Sequence, residues 1–252
     1  MWLRKAYSLA VVCGIAAGFS SLFPLSATAQ SSGATAVATS VGKRVDFRGA
    51  ASGRDVQQMA DWAVRSGDHQ RLPFIIVDKV NATATAFDAS GRLIRSTPVL
   101  IGMGVGDTFA PGVLELDMYQ TQPWQRITPA GRFFAEEDLN LKGQRVLWVD
   151  YDAGIAIHKL SAKKTSQKRH ARLASPNPAD HRITYGCINV PPAFYDQVVH
   201  PNFRAKGGIV YVLPDSTPIK SVFKSYDGGS PSSSPPVQQS ANEDVLPVTR
   251  RF

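Results

Sequence analysis

Short runs of apolar or alternating residues, separated by turn residues, dominate the chain from Leu72 to Pro214. The runs are rich in Val, Ile, Leu and Thr, and they read FIIVD, ATATAF, RLIRSTPVLIG, GVLELDMY, QRVLWVDYD and GGIVYVLP. Turn residues such as those of DASG lie between them. Repeated short strands with turn signals are typical of a β-sandwich or a β-barrel. The pattern therefore predicts a mainly β domain over residues 72–225.

Helical spacing occurs in two places. Val56, Met59, Ala60 and Ala63 fall on one face of a helix, which predicts a short helical segment within residues 52–71. The sequence PPAFYDQVVH predicts a second short helix that begins at a proline pair. The glycines of IGMGVGD do not have the spacing of a dinucleotide-binding fingerprint, and no helical pattern follows them, so they predict a loop.

The N-terminal 29 residues have the pattern of a secretory signal peptide. Two basic residues precede the uncharged apolar run Ala6–Leu25, and the small residues Ala27-Thr28-Ala29 fit a cleavage site. An uncleaved membrane anchor is the alternative, since the run is nearly long enough to span a bilayer. Pro24 and the small residues after it favour cleavage. We therefore expect a periplasmic protein that meets the membrane only during export.

Export leaves a single cysteine in the mature chain. Residues 30–51 are predicted to be a flexible linker and residues 226–252 a disordered tail, because both are rich in small and polar residues. Loss of residues 1–29 removes Cys13 and lowers the formal charge from +8 to +6. Cys187 then has no intramolecular disulfide partner. A lone thiol in an oxidising compartment is either buried as a small hydrophobic group or used as a nucleophile.

A cysteine nucleophile needs a base that takes its proton. His158 is the best-placed histidine, because it ends an alternating strand, AGIAIHKL, in which Ala156 and His158 share one face. His181 is a reserve candidate, and an ordinary surface histidine is the alternative for His158. Gly186 allows a tight turn in front of Cys187, and such a turn can direct successive backbone N–H groups to one point.

The block TYGCINV resembles the signature of the L,D-transpeptidase (YkuD-type) catalytic domain. That family carries a histidine upstream of a Ser/Thr-His-Gly-Cys-hydrophobic-Asn/Arg block. The matching residues here are the upstream His158 and, in the block, Thr184, Gly186, Cys187, Ile188 and Asn189. TPAGRF is similar to a Thr-Pro-x-Gly-x-Phe turn of the family, and FIIVD with ATATAF is similar to its opening hairpin. The resemblance covers about residues 72–214 and implies a β-sandwich with short helices.

The resemblance also implies roles for the site residues. The backbone carbonyl of Lys159 would orient the His158 ring, and the backbone N–H groups of Tyr185, Gly186 and Cys187 would form an oxyanion hole. Tyr185 is a departure, because most members have a histidine there. With an ordinary pKa of about 10, a tyrosine is a poor base at neutral pH, but it can donate a hydrogen bond or form a wall of the pocket.

A second departure lies between His158 and Cys187, which are 29 positions apart, more than the family pattern leads us to expect. The extra length carries basic residues and no acidic residue up to position 172, namely Lys159, Lys163, Lys164, Lys168, Arg169 and Arg172. The ordinary interpretation is a solvated loop. The functional interpretation is a lid that attracts an anionic substrate and favours the thiolate. The last five of these basic residues, with Thr184 and Asn189, are therefore candidate substrate-binding residues.

The function that the resemblance implies is cross-linking of peptidoglycan stem peptides, as donor and acceptor, through a thioester on Cys187. Either 3-3 or 1-3 cross-links would result. No cofactor or metal is expected, since His and Cys do not cluster at metal-ligand spacing. Export and the absence of interleaved aromatic residues argue against nucleic acid. The alternatives are an L,D-carboxypeptidase or D-amino-acid exchange activity, a non-catalytic peptidoglycan-binding module with a relict site, and a packing or redox thiol.

Overall fold

The structure is a computed structural model that describes Val45, Phe47, residues 53–161 and residues 168–227. The predicted signal peptide (1–29), nearly all of the predicted linker (30–51), Lys163, Lys164 and the tail beyond Asp227 lie outside the described residues. No helix in the described part of the chain is long and apolar enough to cross a membrane.

Ten strands and a few short helices make up the described chain. The strands are β1 (Phe74–Asp78), β2 (Thr83–Phe87), β3 (Leu93–Pro98), β4 (Ile101–Gly102), β5 (Gly131–Leu139), β6 (Arg145–Asp150), β7 (Ile155–Lys159), β8 (Arg182–Thr184), β9 (Ile188–Val190) and β10 (Gly208–Val212). The helices are α1 (Arg54–Ser66), α2 (Arg169–Leu173), α3 (Pro192–Phe194), α4 (His200–Phe203) and α5 (Ile219–Val222), with a π-helical turn at Tyr195–Val199. Three-residue 3₁₀ turns at Val113–Glu115 and Pro123–Gln125 and a four-residue one at Pro178–His181 complete the set. The mainly β prediction is confirmed.

Eight of the strands form one sheet in the order β3-β2-β1-β10-β5-β6-β7-β9, and β4 pairs with β8 in a second, two-stranded sheet. Most neighbours are antiparallel hairpins, but β1–β10 and β7–β9 are parallel pairs. Strand β5 changes partner along its length, because Gly131–Ala135 pairs with β10 and Glu136–Leu139 pairs with β6. A strand that serves two neighbours in turn lets the sheet curl around its apolar contents.

Each face of the sheet has its own apolar core. In β1, Ile75 and Val77 contact one core and Phe74 and Ile76 contact the other, as the period of two requires. The first core is filled by the helical residues 194–203, and the second is covered by α1 and by the aromatic residues near the C-terminal end of the described chain. Strands buried on both faces read as continuous apolar runs, which is the pattern of FIIVD and GIVYV.

Helix α1 begins at Arg54 and ends at Ser66, within the segment predicted to be helical. Its buried residues are Val56, Met59, Ala60, Trp62 and Ala63, so the predicted apolar face is the face that packs. Gly67 follows with a φ of 72°, the left-handed conformation that commonly ends a helix. The helix adds a layer to the sheet in the same compact unit, Val41–Phe252.

The parallel pair β7–β9 positions the candidate chemistry. Ile157 lies opposite Ile188 and His158 opposite Asn189. The same register continued by one step towards the N-terminus places Ala156 opposite Cys187. Because side chains alternate along a strand, the isoleucines enter the core while His158, Asn189 and Cys187 share the other face.

Candidate active site

The cysteine lies at the end of a tight turn between β8 and β9. The Thr184 hydroxyl donates to the backbone carbonyl of Cys187 (2.7 Å) and accepts from the backbone N–H of Gly186 (3.1 Å). Gly186 has a φ of 132°, and a Cβ there would lie 2.7 Å from both the Ile127 carbonyl oxygen and Ile155 Cδ1. Only glycine fits this turn. The Gly186 N–H was an expected oxyanion donor, but Thr184 engages it, which leaves the N–H groups of Tyr185 and Cys187 as candidates.

His158 and Cys187 lie on the same face of neighbouring chain segments. They are separated by two residues along the strand direction and by one strand spacing, which corresponds to about 8 Å between their Cα atoms. The Nδ1 atom of His158 lies 3.1 Å from the carbonyl oxygen of Lys159, the carbonyl that the family resemblance implied. The Nε2 atom lies 3.0 Å from the amide nitrogen of Asn189.

The Cys187 thiol is half-buried and donates to the backbone carbonyl of Gly154 at 3.4 Å. Burial raises its pKa, and this effect outweighs the hydrogen bond from the Ala156 N–H and the charge of Arg169, which both act to lower it. The basic insertion was expected to favour the thiolate. The charge of Arg169 does act to lower the Cys187 pKa, but the net shift is upward because burial has the larger effect. The net direction keeps a thiol at neutral pH, so nucleophilic attack needs a base.

Among the residues of the basic insertion that the structure describes, one is buried at the site. Arg169, at the start of α2, is 5% exposed, and its Nη1 donates to the Asn189 Oδ1 at 2.5 Å. Lys168 precedes it as an exposed residue. Arg172 donates to the backbone carbonyl of Asp180 (2.9 Å), so it braces the segment that leads into β8. The Lys159 ammonium pairs with Asp196 at 2.6 Å.

His181, the reserve candidate for the base, has a structural position. It is buried, its Nδ1 lies 2.8 Å from the Val99 carbonyl oxygen, and its Nε2 lies 3.0 Å from the Ser175 carbonyl oxygen. These contacts connect the segment between β3 and β4, the insertion and the turn before β8. Both ring nitrogens of His181 are therefore engaged by backbone carbonyls, whereas His158 shares a sheet face with Cys187.

A cleft of about 880 Å³ opens above Cys187. It is lined by Phe109, residues 113–119, Thr121, Gln125, Arg126, Leu141, Lys142, residues 153–155, Tyr185 and Cys187. Tyr185 forms part of the cleft wall, which is one of the two roles that the sequence suggested for it. The guanidinium of Arg126 lies 4.1 Å from the Tyr185 ring centroid, and the Tyr119 ring meets Tyr185 edge-on at 6.3 Å. Both signs of charge face this space, from Arg126 and Lys142 and from two carboxylates of the 113–119 segment.

A buried polar cluster supports the cysteine turn from below. Lys79, 1% exposed, donates to Asp107 Oδ1 (2.9 Å) and to the backbone carbonyls of Gly106 (2.6 Å) and Thr128 (2.9 Å). The Thr128 hydroxyl in turn donates to the Gly186 carbonyl (2.7 Å). Thr128 belongs to the TPAGRF motif, whereas sequence reasoning missed Lys79 and Asp107. The available signal was a pair of charged residues, Asp78 and Lys79, directly after the apolar run Phe74–Val77.

Asp107 is held as a carboxylate by many donors. It accepts from the backbone N–H groups of Asp215, Ser216 and Thr217 and from the hydroxyls of Ser216 and Thr217. Burial acts to raise its pKa, but these hydrogen bonds and that of Lys79 outweigh burial, so the pKa lies well below its usual range. Asp215 also pairs with Arg182 at 2.7 Å, which attaches β8 to the same cluster. Within the described residues, no group of three or more His, Cys, Asp or Glu side chains is placed to hold a metal ion.

Comparison with known proteins gives matches among solved structures only. No family model and no curated protein matches the chain. An L,D-transpeptidase from Mycobacterium smegmatis is 16% identical, with 56% of this chain and 58% of that chain covered and a TM-score of 0.34. The catalytic domain of an E. faecium L,D-transpeptidase is 17% identical, with 57% and 99% covered and a TM-score of 0.35. The helical cell shape determining protein Pgp2 from Campylobacter jejuni is 14% identical, with 58% and 49% covered and a TM-score of 0.38.

The chain thus spans little more than half of the mycobacterial protein and about half of Pgp2. The identities are all below 20% and the TM-scores are all below 0.5. A functional proposal for this chain has to be based on the residues of its own site.

Proposed function

We propose that this chain is a periplasmic cysteine L,D-transpeptidase that cross-links peptidoglycan stem peptides. The observation that supports the proposal best is the placement of Cys187 in the floor of a large cleft, on the same sheet face as His158 in the adjacent parallel strand. A thiol, a histidine and a third group that orients the histidine are the components of cysteine nucleophilic catalysis. Here the orienting group is the Lys159 carbonyl.

The reaction begins with transfer of the thiol proton. The Cys187 sulfur attacks the carbonyl carbon of a stem-peptide bond while its proton passes to Nε2 of His158, and the carbonyl oxygen takes up negative charge. When this intermediate collapses, the C–N bond breaks, His158 gives the proton to the leaving amine, and a thioester remains. The Asn189 amide contacts the lone pair of Nε2, so it has to give up this contact before the nitrogen accepts the proton.

The second half-reaction transfers the acyl group. An amine of an acceptor stem attacks the thioester, loses a proton to His158 and forms the new amide bond, and the sulfur regains its proton as it leaves. The donor bond is either the one between meso-diaminopimelate and D-Ala, which gives 3-3 cross-links, or the one after L-Ala, which gives 1-3 cross-links. Arg126 and Lys142 on the cleft wall match the free carboxylates of such peptides in sign.

Mass spectrometry of the protein incubated with disaccharide-tetrapeptide tests the proposal directly. We expect loss of D-Ala for a 3-3 bridge, a cross-linked dimer, and a thioester adduct on Cys187, all absent from Cys187→Ala. Fragmentation of the dimer identifies the bridge. Tetrapeptide hydrolysed to tripeptide without a dimer would indicate a carboxypeptidase, and incorporation of added D-amino acid would indicate exchange. A folded protein that binds the peptide without forming any adduct would contradict the proposal and support a binding module.

A further inference from the structure

A chain of hydrogen bonds connects the basic insertion to the candidate base. Arg169 Nη1 donates to Asn189 Oδ1 (2.5 Å), Asn189 Nδ2 lies 3.0 Å from His158 Nε2, and His158 Nδ1 lies 3.1 Å from the Lys159 carbonyl oxygen. Arg169 and Asn189 are 5% and 1% exposed. Because water is largely excluded from these two side chains, Arg169 and Asn189 depend on protein partners for hydrogen bonding.

The donor and acceptor chemistry of this chain allows one arrangement. A guanidinium only donates hydrogen bonds, so Asn189 has to present its carbonyl oxygen to Arg169 and its NH₂ group to His158. An amide NH₂ group also only donates, so Nε2 of a neutral His158 has to be the unprotonated nitrogen. The ring proton is then on Nδ1, where it is donated to the Lys159 carbonyl. A flipped amide would set NH₂ against the guanidinium and require the opposite histidine tautomer.

We propose that Arg169 is a positioning residue that acts through Asn189 to set the tautomer of His158, leaving Nε2 as the nitrogen that accepts the Cys187 proton. Its catalytic meaning depends on the proposed function, but the tautomer itself does not. Arg169 belongs to a run of basic residues that would ordinarily be exposed to solvent. It can take this role because it is buried against Asn189.

Arg169 has a second, electrostatic effect on the same site, because its guanidinium contacts Asn189, two residues from Cys187 along β9 and its preceding turn. Burial lowers the pKa of the Arg169 guanidinium. Attraction to Cys187 and Tyr185, when these are ionised, acts in the opposite direction and raises it. Two other cations near the cleft have their own contacts: the Lys159 ammonium pairs with Asp196, and the Arg126 guanidinium lies over the Tyr185 ring. Lys142, Glu115 and Asp117 face the cleft from its walls. Removal of the Arg169 charge is therefore expected to reduce the thiolate fraction of Cys187.

Nitrogen-15 NMR of the histidine side chains of the whole protein tests the positioning role without any peptidoglycan substrate. At a pH where the ring is neutral, we expect the His158 signals, identified by their loss in His158→Gln, to show a protonated Nδ1 and a bare Nε2. Arg169→Gln frees the Asn189 amide to turn, so both tautomers should be populated. Asn189→Asp keeps an acceptor for Arg169 but offers no donor to Nε2, so the proton should move to Nε2.

A protonated Nε2 in the unaltered protein, or an unchanged tautomer in Arg169→Gln, would overturn the positioning role. If Arg169→Gln does not fold, an unchanged tautomer in Asn189→Asp would overturn it as well, because Arg169 contacts His158 only through Asn189 in this proposal. A tautomer that behaves as expected in a protein that forms no cross-link would refute the proposed function and leave this inference intact.

Alkylation of Cys187 by iodoacetamide across a pH series tests the electrostatic effect. Below the inflection of the profile, Arg169→Gln should react at least about threefold more slowly, because loss of the positive charge reduces the thiolate fraction of Cys187. Arg204→Gln removes an exposed arginine and is the charge-matched control, with an expected change of less than about twofold. Equal rates in Arg169→Gln and the unaltered protein would overturn this part of the inference.

Discussion

Replacement of Lys79 by methionine probes the buried cluster that supports the cysteine turn. The lysine side chain is fully buried, and its ammonium makes three hydrogen bonds of 2.6–2.9 Å in addition to a contact of 3.5 Å with Asp215. Methionine has a similar length but no charge and no donor. Asp215 keeps Arg182 as a partner, whereas Asp107 loses its ion-pair partner and two backbone carbonyls lose their donor.

The expected loss of stability follows from the charge that is left behind. Breaking a buried ion pair by removing one partner costs about 3–5 kcal/mol, because an uncompensated charge remains in a medium of low polarity. For a domain of this size, each kcal/mol corresponds to roughly 2–4 °C in Tm, so Lys79→Met should melt roughly 6–20 °C below the unaltered protein. Since Lys79 also holds the Thr128 carbonyl, and Thr128 holds the Gly186 carbonyl, the Cys187 turn should loosen as well.

Urea denaturation followed by far-UV circular dichroism measures this loss. Lys206→Met, at an exposed position, is the matched control and should change the free energy of unfolding by less than about 0.5 kcal/mol. In an Asp107→Asn background, Lys79→Met should cost less, because the orphaned charge is absent. A loss below about 1 kcal/mol for Lys79→Met alone would refute the reasoning that this ion pair stabilises the fold.

Four further predictions concern the turn, the thiol, the buried carboxylate and the cleft wall. In urea denaturation, Gly186→Ala should lower the free energy of unfolding by about 2–3 kcal/mol or more. Gly143 also has a positive φ but no neighbour within 4 Å, so Gly143→Ala should lower it by about 1 kcal/mol. Equal losses would contradict the clash at Gly186. Iodoacetamide should alkylate Cys187 with a pH inflection above that of a free cysteine, since burial raises the thiol pKa, and an inflection below it would show that the thiolate is stabilised instead. Because the Asp107 pKa is lowered on folding, its stabilisation is present above the unfolded value near 3.9 and is lost progressively as the pH falls from about 5 through the lowered folded pKa. Asp107→Asn should be about 2–3 kcal/mol less stable at neutral pH and lose less over that range, and parallel pH profiles would argue against its role. Tyr185→Phe keeps the ring that packs against Arg126, so the KM for tetrapeptide should stay nearly unchanged. Tyr185→Ala removes the ring and should raise this KM roughly threefold. An equal effect of the two variants would implicate the hydroxyl.

Features that depend on local pattern could be predicted from the amino-acid sequence. The alternation of short apolar runs predicted the mainly β fold, and the spacing of Val56, Met59, Ala60 and Ala63 predicted the buried face of α1. Periodicity is a local property, because burial of one strand or helix face repeats at a fixed interval along the chain. The signature around Cys187 with the upstream His158 similarly identified a candidate pair before any geometry was known.

Only the tertiary structure decided which residues surround that pair. Lys79 follows an apolar strand and looks like a solvated lysine, but the approach of the loops that carry Asp107 and Thr128 buries it. Arg169 stands in a basic run, where charges are usually hydrated. The parallel pairing of β7 with β9 sets Asn189 beside His158, and Arg169 is buried against Asn189. The pKa of Cys187 likewise depends on burial among residues distant in sequence. Contacts between such residues are absent from local patterns, because they form only when the whole chain has folded.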